Sequence, residues 1–198
     1  MIIPITLASK SAARTQLLAG AGVIFETIGS GVDEDAVKAR LLAQKVNPHQ
    51  IAMALAEAKA LAVSARRPGF VIGADQTLDL DGVLHDKVSS LSEARDRLQK
   101  LRGRSHQLHS GLVVARDGAV VWRETPSATL TMRTFTDAFL DGYLDHNGAA
   151  ILSSVGCYQL EGEGLQLFER IEGDYFTILG LPMLGLLSFL RREGALET

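Results

Sequence analysis

The sequence predicts an α/β fold, a mixed sheet with flanking helices bent into two lobes. Capped helical segments alternate with apolar strand-like runs through the first half, and hairpin signals dominate the second. A third observation concerns function. Two of the apolar runs end in charged or hydroxyl residues, Leu7 to Arg14 after the first and Asp75-Gln76 after Val71 to Ala74. Ligands of open α/β sheets bind at the carboxyl ends of strands, so two such polar ends point to one shared site.

Taken in order, Met1 to Thr6 reads as a strand, and Ser11 caps a helix over Ala12 to Ala19 that stops at Gly20. Val23 to Ile28 reads as a second strand, Gly29 to Gly31 as a turn, and Asp35 to Lys45 as a helix ended by Asn47-Pro48. Gln50 to Arg66 is a helix with Ile51, Leu55, Ala58 and Ala62 on one face, closed by Arg67-Pro68-Gly69. Phe70 to Ala74 is continuously apolar, as in a strand covered on both faces. Leu78 to Val83 looks like a hairpin, and Ser90 with Glu93 forms a capping box for a helix to Leu101, closed by Gly103. His106 to Ala115 and Ala119 to Glu124 flank the turn Arg116-Asp117-Gly118. Ala128 to Arg133 alternates like a strand, Thr136 caps a helix over Asp137 to Asp145, and Gly156 to Leu160 and Leu167 to Ile171 complete the strands. Ile178 to Leu190 is a core helix with Pro182 near its first turn.

Composition limits what this fold can do. With 198 residues, 46% of them hydrophobic, and no repeat, low-complexity tract or linker, the chain is expected to form one domain over residues 1–198. A formal net charge of -3 argues against nucleic acid as a partner, because backbone binding needs clustered cations. The single cysteine, Cys157, reads as a small buried hydrophobe. No run reaches the roughly 20 apolar residues of a membrane span, and the start lacks a signal-peptide pattern, so no membrane partner and a cytoplasmic location are expected.

Candidate chemistry rests on a few anomalies. Arg14 falls in the first turn of its helix, where the macrodipole disfavours a cation. A phosphate held by helix amides, the hydroxyls of Ser9 and Ser11 and the guanidinium would resolve this; plain capping and solvation is an equally good account of the segment alone. Lys59 shares a helical stripe with Leu55 and Val63, so it either snorkels to solvent or meets an anion. Asp75 directly follows apolar strand residues and would be costly if buried without a cation, metal or donors; the alternative is a turn residue. Glu34 lies in an acidic patch at a helix start, where dipole stabilisation suffices but metal ligation is a second job. Lys87 sits on a loop where a solvated lysine is the plain reading. Together these acids and cations suit a magnesium nucleotide, which needs hard oxygen ligands and point charges for phosphates. The histidines show no zinc spacing, and neither a Walker loop nor a dinucleotide fingerprint is present.

From end to end these residues resemble the Maf family of nucleoside triphosphate pyrophosphatases. The pieces are Leu7-Ala8-Ser9-Lys10-Ser11-Ala12-Ala13-Arg14, Val32-Asp33-Glu34, Ala56 to Ala60 around Lys59, Gly73-Ala74-Asp75, Lys87, His106 to Gly111, Gly156 to Gly162, and Gly180-Leu181-Pro182. Their order and spacing carry the resemblance. It implies an elongated sheet with a cleft, related to that of inosine triphosphatase-like enzymes, in an assembly that is often a homodimer. It further implies hydrolysis of a nucleoside triphosphate between the α and β phosphates with a divalent cation, magnesium or manganese. Carried over by position, Asp75 is the catalytic acid/base and a metal ligand with Glu34, and Ser9, Ser11, Arg14, Lys59 and Lys87 bind phosphate. Ala12 and Ala13 replace the proline and first arginine of the family pattern. Gln76 and Glu161 resemble the branch acting on 7-methyl-GTP more than the dTTP/UTP branch, which makes Ala13, Gln76 and Glu161 the base-specificity positions. A dTTP/UTP pyrophosphatase, or a non-catalytic nucleotide sensor linked to cell division and septum formation, is the alternative.

Overall fold

In the computed structural model, which describes residues 3–197, the strands are β1 (Ile5–Leu7), β2 (Glu26–Thr27), β3 (Phe70–Leu80), β4 (Val83–His85), β5 (Ser105–Arg116), β6 (Ala119–Glu124), β7 (Ser127–Met132) and β8 (Phe168–Glu172). The helices are α1 (Ala12–Gly20), α2 (Glu34–Ala43), α3 (Pro48–Ser64), α4 (Leu91–Leu101), α5 (Asp137–Asn147), α6 (Tyr175–Ile178) and α7 (Met183–Arg192), with 3-10 turns at Gly148–Ser153 and Glu163–Leu167.

β3 and β5 are the long shared strands of a mixed sheet, antiparallel to each other from Val71 opposite Ala115 to Asp79 opposite Gln107. The beginning of β3 and the end of β5 carry parallel β1 and β2 on one side and antiparallel β6 on the other. The other halves of the same two strands carry β4, β7 and β8. Each half has its own apolar cluster. Leu18, Ile72, Leu112, Leu186 and Phe189 belong to one, while Leu78, Leu98, Leu108, Leu130 and Tyr143 belong to the other. The expected two lobes are therefore two halves of one sheet.

β1 pairs with Phe70 to Ile72 and β4 with Leu78 to Leu80, both on the same edge of β3. Between them, residues 73–77 have no strand neighbour on that edge. This leaves a gap in the edge of the sheet, and Asp75 lies in its middle.

The face of β3 that bears Gly73, Asp75 and Thr77 is covered by α3, and small residues decide how closely. Ala52, Ala56 and Ala60 recur every four residues and lie on Gly73 and Gly111 of the sheet. A Cβ added to Gly73 would stand 2.2 Å from the Ala56 carbonyl oxygen, and one on Gly111 2.3 Å from that of Ala52. Helix and sheet backbones thus meet with no side chain between them. Asn47 caps α3 and Pro48 occupies its first turn, so this pair starts α3 and does not end α2, which stops at Ala43.

Several expectations need correction. The strand expected over Phe70 to Ala74 continues to Leu80, so Asp75 is a mid-strand residue and not a strand end. It can continue because each polar side chain finds a partner: Lys59 for Asp75, Ser110 for Gln76 and the Pro48 carbonyl for Thr77. The buried face of α3 is Ile51, Ala52, Leu55, Ala56, Lys59, Ala60 and Val63; Ala62 is exposed. Val23 to Ile28 yields only Glu26–Thr27, because β1, its partner, is three residues long. Gly156 to Leu160 is a loop, since Cys157 has φ +59°, outside extended backbone. Cys157 itself is buried, as read. Met1 and Ile2, the start of the first expected strand, lie outside the described residues. No helix among the described residues is long and apolar enough to cross a membrane.

Candidate active site

The open edge of β3 forms the floor of a cleft of about 1090 Å³. Ser9, Ser11, Ala13, Arg14, Glu34, Lys59, Asp75, Gln76, Lys87 and Glu161 all line it, so every position singled out in the sequence converges there. Six segments supply them: the β1–α1 turn with the start of α1, the start of α2, α3, β3, the loop after β4 and the loop before β8.

At the floor, Lys59 joins two carboxylates. Its Nζ lies 2.7 Å from Asp75 Oδ1 and 2.8 Å from Glu34 Oε1. Lys59 is 5% exposed and Asp75 8%, so snorkelling is ruled out for the lysine and a solvated turn for the aspartate. The close α3–sheet packing makes this pair. It leaves a lysine four residues from Leu55 and Val63 no direction except along the sheet into the gap. Burial pushes the Asp75 carboxyl above the usual carboxylate range, against the opposing pull of Lys59 and Arg14.

Arg14 holds the gap open. Ser11 caps α1 through the Arg14 amide at 3.4 Å, which sets the first turn and aims the guanidinium at the sheet. Its Nη1 donates to the Ala74 carbonyl at 2.9 Å and to Ser9 Oγ at 3.4 Å, and its Nε donates to the Gly180 carbonyl at 2.8 Å. The unpaired strand edge is thus satisfied by an arginine. Burial lowers the Arg14 pKa from its ordinary value, while Asp75 and Glu34 raise it. These are the negative neighbours that the macrodipole argument requires. Lys87, on the rim, has no ion-pair partner among the described residues, and its pKa is lowered first by burial against the cleft walls and then by repulsion from Arg14.

Gln76 lines the cleft, but its side chain leaves the strand on the face opposite Asp75 and is held by several hydrogen bonds. Its Nε2 reaches Ser110 Oγ at 3.0 Å and the carbonyls of Thr177 and Ile178 at 3.0 and 2.9 Å. With Arg14 on Gly180, it ties the end of α6 to the sheet. Glu161 lies exposed on the far wall, on the loop whose turn is shaped by Gly156 and Gly164. The Tyr158 ring packs on Gly156, where a Cβ would come within 2.1 Å of it.

Sequence reasoning missed Lys38, His85, Asp86 and Tyr158 as cleft residues. Lys38 is four residues after Glu34 on α2, a spacing that would have placed it on the same face. Tyr158 stood inside the motif from Gly156 to Gly162, but its side chain donates to or accepts from buried His106 Nε2 at 2.7 Å, a long-range contact with no local signal.

The matching family model, described as Maf-like protein, spans residues 4–193. The chain belongs to the Maf family. A Maf relative from Caulobacter vibrioides, named nucleoside triphosphate pyrophosphatase, is 63% identical over 195 residues, covering 98% of each chain. The Brucella abortus protein named 7-methyl-GTP pyrophosphatase is 48% identical over 198 residues, the full length of both. A Mesorhizobium japonicum protein of that same name is 50% identical over 194 residues, 98% of each. The mixed sheet and cleft are consistent with the Maf fold.

Two carboxylates at the floor also bear on a metal. Glu34 and Asp75 each place one oxygen on Lys59, and the second oxygen of each has no hydrogen-bond partner among the described residues. No group of three or more His, Cys, Asp or Glu among the described residues could enclose an ion. A pair of free carboxylate oxygens nevertheless fits magnesium or manganese, which binds by one or two carboxylates and takes phosphate oxygens and water for the rest.

Proposed function

We propose that this Maf protein is a nucleoside triphosphate pyrophosphatase that hydrolyses the α–β anhydride, releasing a nucleoside monophosphate and pyrophosphate. The observation that carries the reading is the buried Lys59–Asp75 pair at the gap in β3, facing Arg14 and Lys87 across one cleft. A carboxylate fixed on one oxygen by a lysine, with its other oxygen turned to the cleft, is suited to orient a water and accept its proton. The cations around it suit the negative charge of a triphosphate.

In this reading Asp75 takes a proton from water as the water oxygen attacks the α phosphorus, and the bond to the bridging oxygen breaks to release pyrophosphate. Lys59 fixes the direction of Asp75. Arg14, Ser9 and Lys87 bind phosphate oxygens, and Ser11 sets the α1 start that presents them. Glu34 and Asp75 would hold a divalent cation, which supplies charge neutralisation for the leaving pyrophosphate.

For the base, the proposal favours a modified nucleotide such as 7-methyl-GTP. Glu161 on the far wall can accept from the guanine amino edge and attract a cationic methylated ring. Ala13 leaves room beside it without contributing a stacking surface.

The test is pyrophosphate release from 7-methyl-GTP, GTP, dTTP, UTP and CTP with magnesium or manganese, for the native protein and Asp75→Asn. Loss of a general base typically lowers turnover by about 10² to 10⁴, with nucleotide binding retained. Native-level release by Asp75→Asn would remove it from the mechanism, and no release from any nucleotide by the native protein would favour a sensor.

A further inference from the structure

We infer that Lys38, Asp86 and Arg97 form a strap across the cleft that sets the position of Lys87 against Glu34, so that Lys38 and Asp86 are positioning residues. The inference rests on the proposed reading for its catalytic consequence, but the strap is a matter of geometry. α2 carries Glu34 at its first position and has no fully buried residue, Val37 and Leu41 being only partly buried, so apolar packing alone does not fix where that carboxylate stands. Polar contacts must. One is Glu34 on Lys59, and the other is Lys38, one turn later on the same face, whose Nζ reaches across the cleft to Asp86 Oδ1 at 2.8 Å.

Asp86 immediately precedes Lys87, so whatever holds Asp86 also aims Lys87. Its carboxylate takes Lys38, and its backbone carbonyl takes Arg97 Nη2 at 2.9 Å. Arg97, on α4, also donates through Nη1 to the Val155 carbonyl at 2.7 Å, on the loop that leads to Glu161. The walls bearing Glu34, Lys87 and Glu161 are thereby linked through one aspartate.

The lysine end is built for this contact. The Lys38 side chain is only 16% exposed, whereas Asp86 is 57% exposed, and Asp35 Oδ1 lies 2.9 Å from the same Nζ. Partial burial works against its charge, yet the hydrogen bonds it donates to Asp86 and Asp35 outweigh this and raise the Lys38 pKa. The lysine end therefore stays charged through the neutral range. Solvent at the Asp86 end keeps it weak, as half-exposed ion pairs are.

The experiment uses the full chain. Lys38→Met and Asp86→Asn should each lower kcat/KM for pyrophosphate release by about threefold to fivefold, the upper scale of one partly exposed ion pair. The double variant should be no worse than either single, and Lys38→Arg should retain near-native activity. In parallel, amide hydrogen exchange on the free protein should show Asp86→Asn speeding exchange within residues 34–43, and Lys38→Met within residues 84–90. Single variants within twofold of a working native enzyme would overturn the positioning role whatever the exchange shows. Should the native protein release no pyrophosphate, the proposed function fails on its own, and exchange decides the strap: absence of any cross-cleft effect overturns it.

Discussion

Helices α3 and α2 each deliver a side chain to the same ammonium bridge, Lys59 from one and Glu34 from the other, yet they are held in opposite ways. α3 buries nine of its residues and rests its backbone on the glycines of β3 and β5. α2 buries none and is fastened by charges. The difference divides the site. Lys59 and Asp75 form a rigid half whose geometry is set by close packing, and Glu34 with Lys87 forms an adjustable half set by ion pairs. A phosphoanhydride hydrolase needs both, since the attacking water must be held in line while a large charged substrate enters and its products leave.

The rigid half is the place for the largest effect. Replacing Gly73 by Ala puts a methyl group into the Ala56 carbonyl and the Ala60 amide, so α3 must lift off the sheet. We expect a loss of stability on the order of 3 kcal/mol or more, read from the urea midpoint, together with lost pyrophosphate release as Lys59 leaves Asp75. The matched control is Gly142→Ala on α5, where nothing lies within 4 Å and the change should be neutral or stabilising. Equal behaviour of the two variants would show that the close approach of α3 is not what fixes the site.

A second effect concerns the far wall. His106 is 2% exposed, its Nε2 paired with the Tyr158 hydroxyl and its Nδ1 without a partner among the described residues. Burial, with a lesser contribution from His85, lowers its pKa from 6.5 to about 4. The unfolded chain therefore takes up the proton first. The neutral histidine's contribution to stability is whole above its unfolded pKa and is lost as pH falls toward 4, by roughly 3 kcal/mol at the lower end. Asp75 slopes the other way: with its folded pKa raised, it favours the folded state as pH falls. The informative quantity is thus the difference between the native protein and His106→Gln, measured as urea stability from pH 7.5 to 4.5. Parallel curves would mean that the wall behind Tyr158 admits water and is not part of the rigid half.

How much of this could be read from the chain follows the same division. Lys59 and Asp75 were visible because each breaks an apolar pattern, and a break in a pattern that packing enforces has few explanations. The extent of β3 was not visible, because a strand ends where its neighbours end and the partners of Gln76, Thr77 and Asp79 come from distant segments. The loop at Gly156 to Leu160 looked like a strand because its apolar residues are buried; the left-handed Cys157 that turns it leaves no compositional trace. Lys38, Asp86 and Arg97 were the least legible, since a charge on a helix or loop looks the same whether it is solvated or spans a cleft. The adjustable half of a site is written in residues that resemble ordinary surface.

The smallest expected effect on stability falls on that half and sharpens the comparison most. Glu34→Gln keeps the size of the side chain and removes one of the two negative charges on Lys59. Because the Glu34 side chain is 44% exposed and α2 has no fully buried residue, its ion pair should matter by less than about 1 kcal/mol. Its effect on pyrophosphate release should be out of proportion to this, with a raised requirement for magnesium or manganese, since half of the proposed metal-binding oxygens would be gone. Titrating release against metal concentration for the native protein and Glu34→Gln separates the two contributions. A variant with native metal dependence and native stability would leave Glu34 as a helix-start residue and move the adjustable half to Lys87 alone.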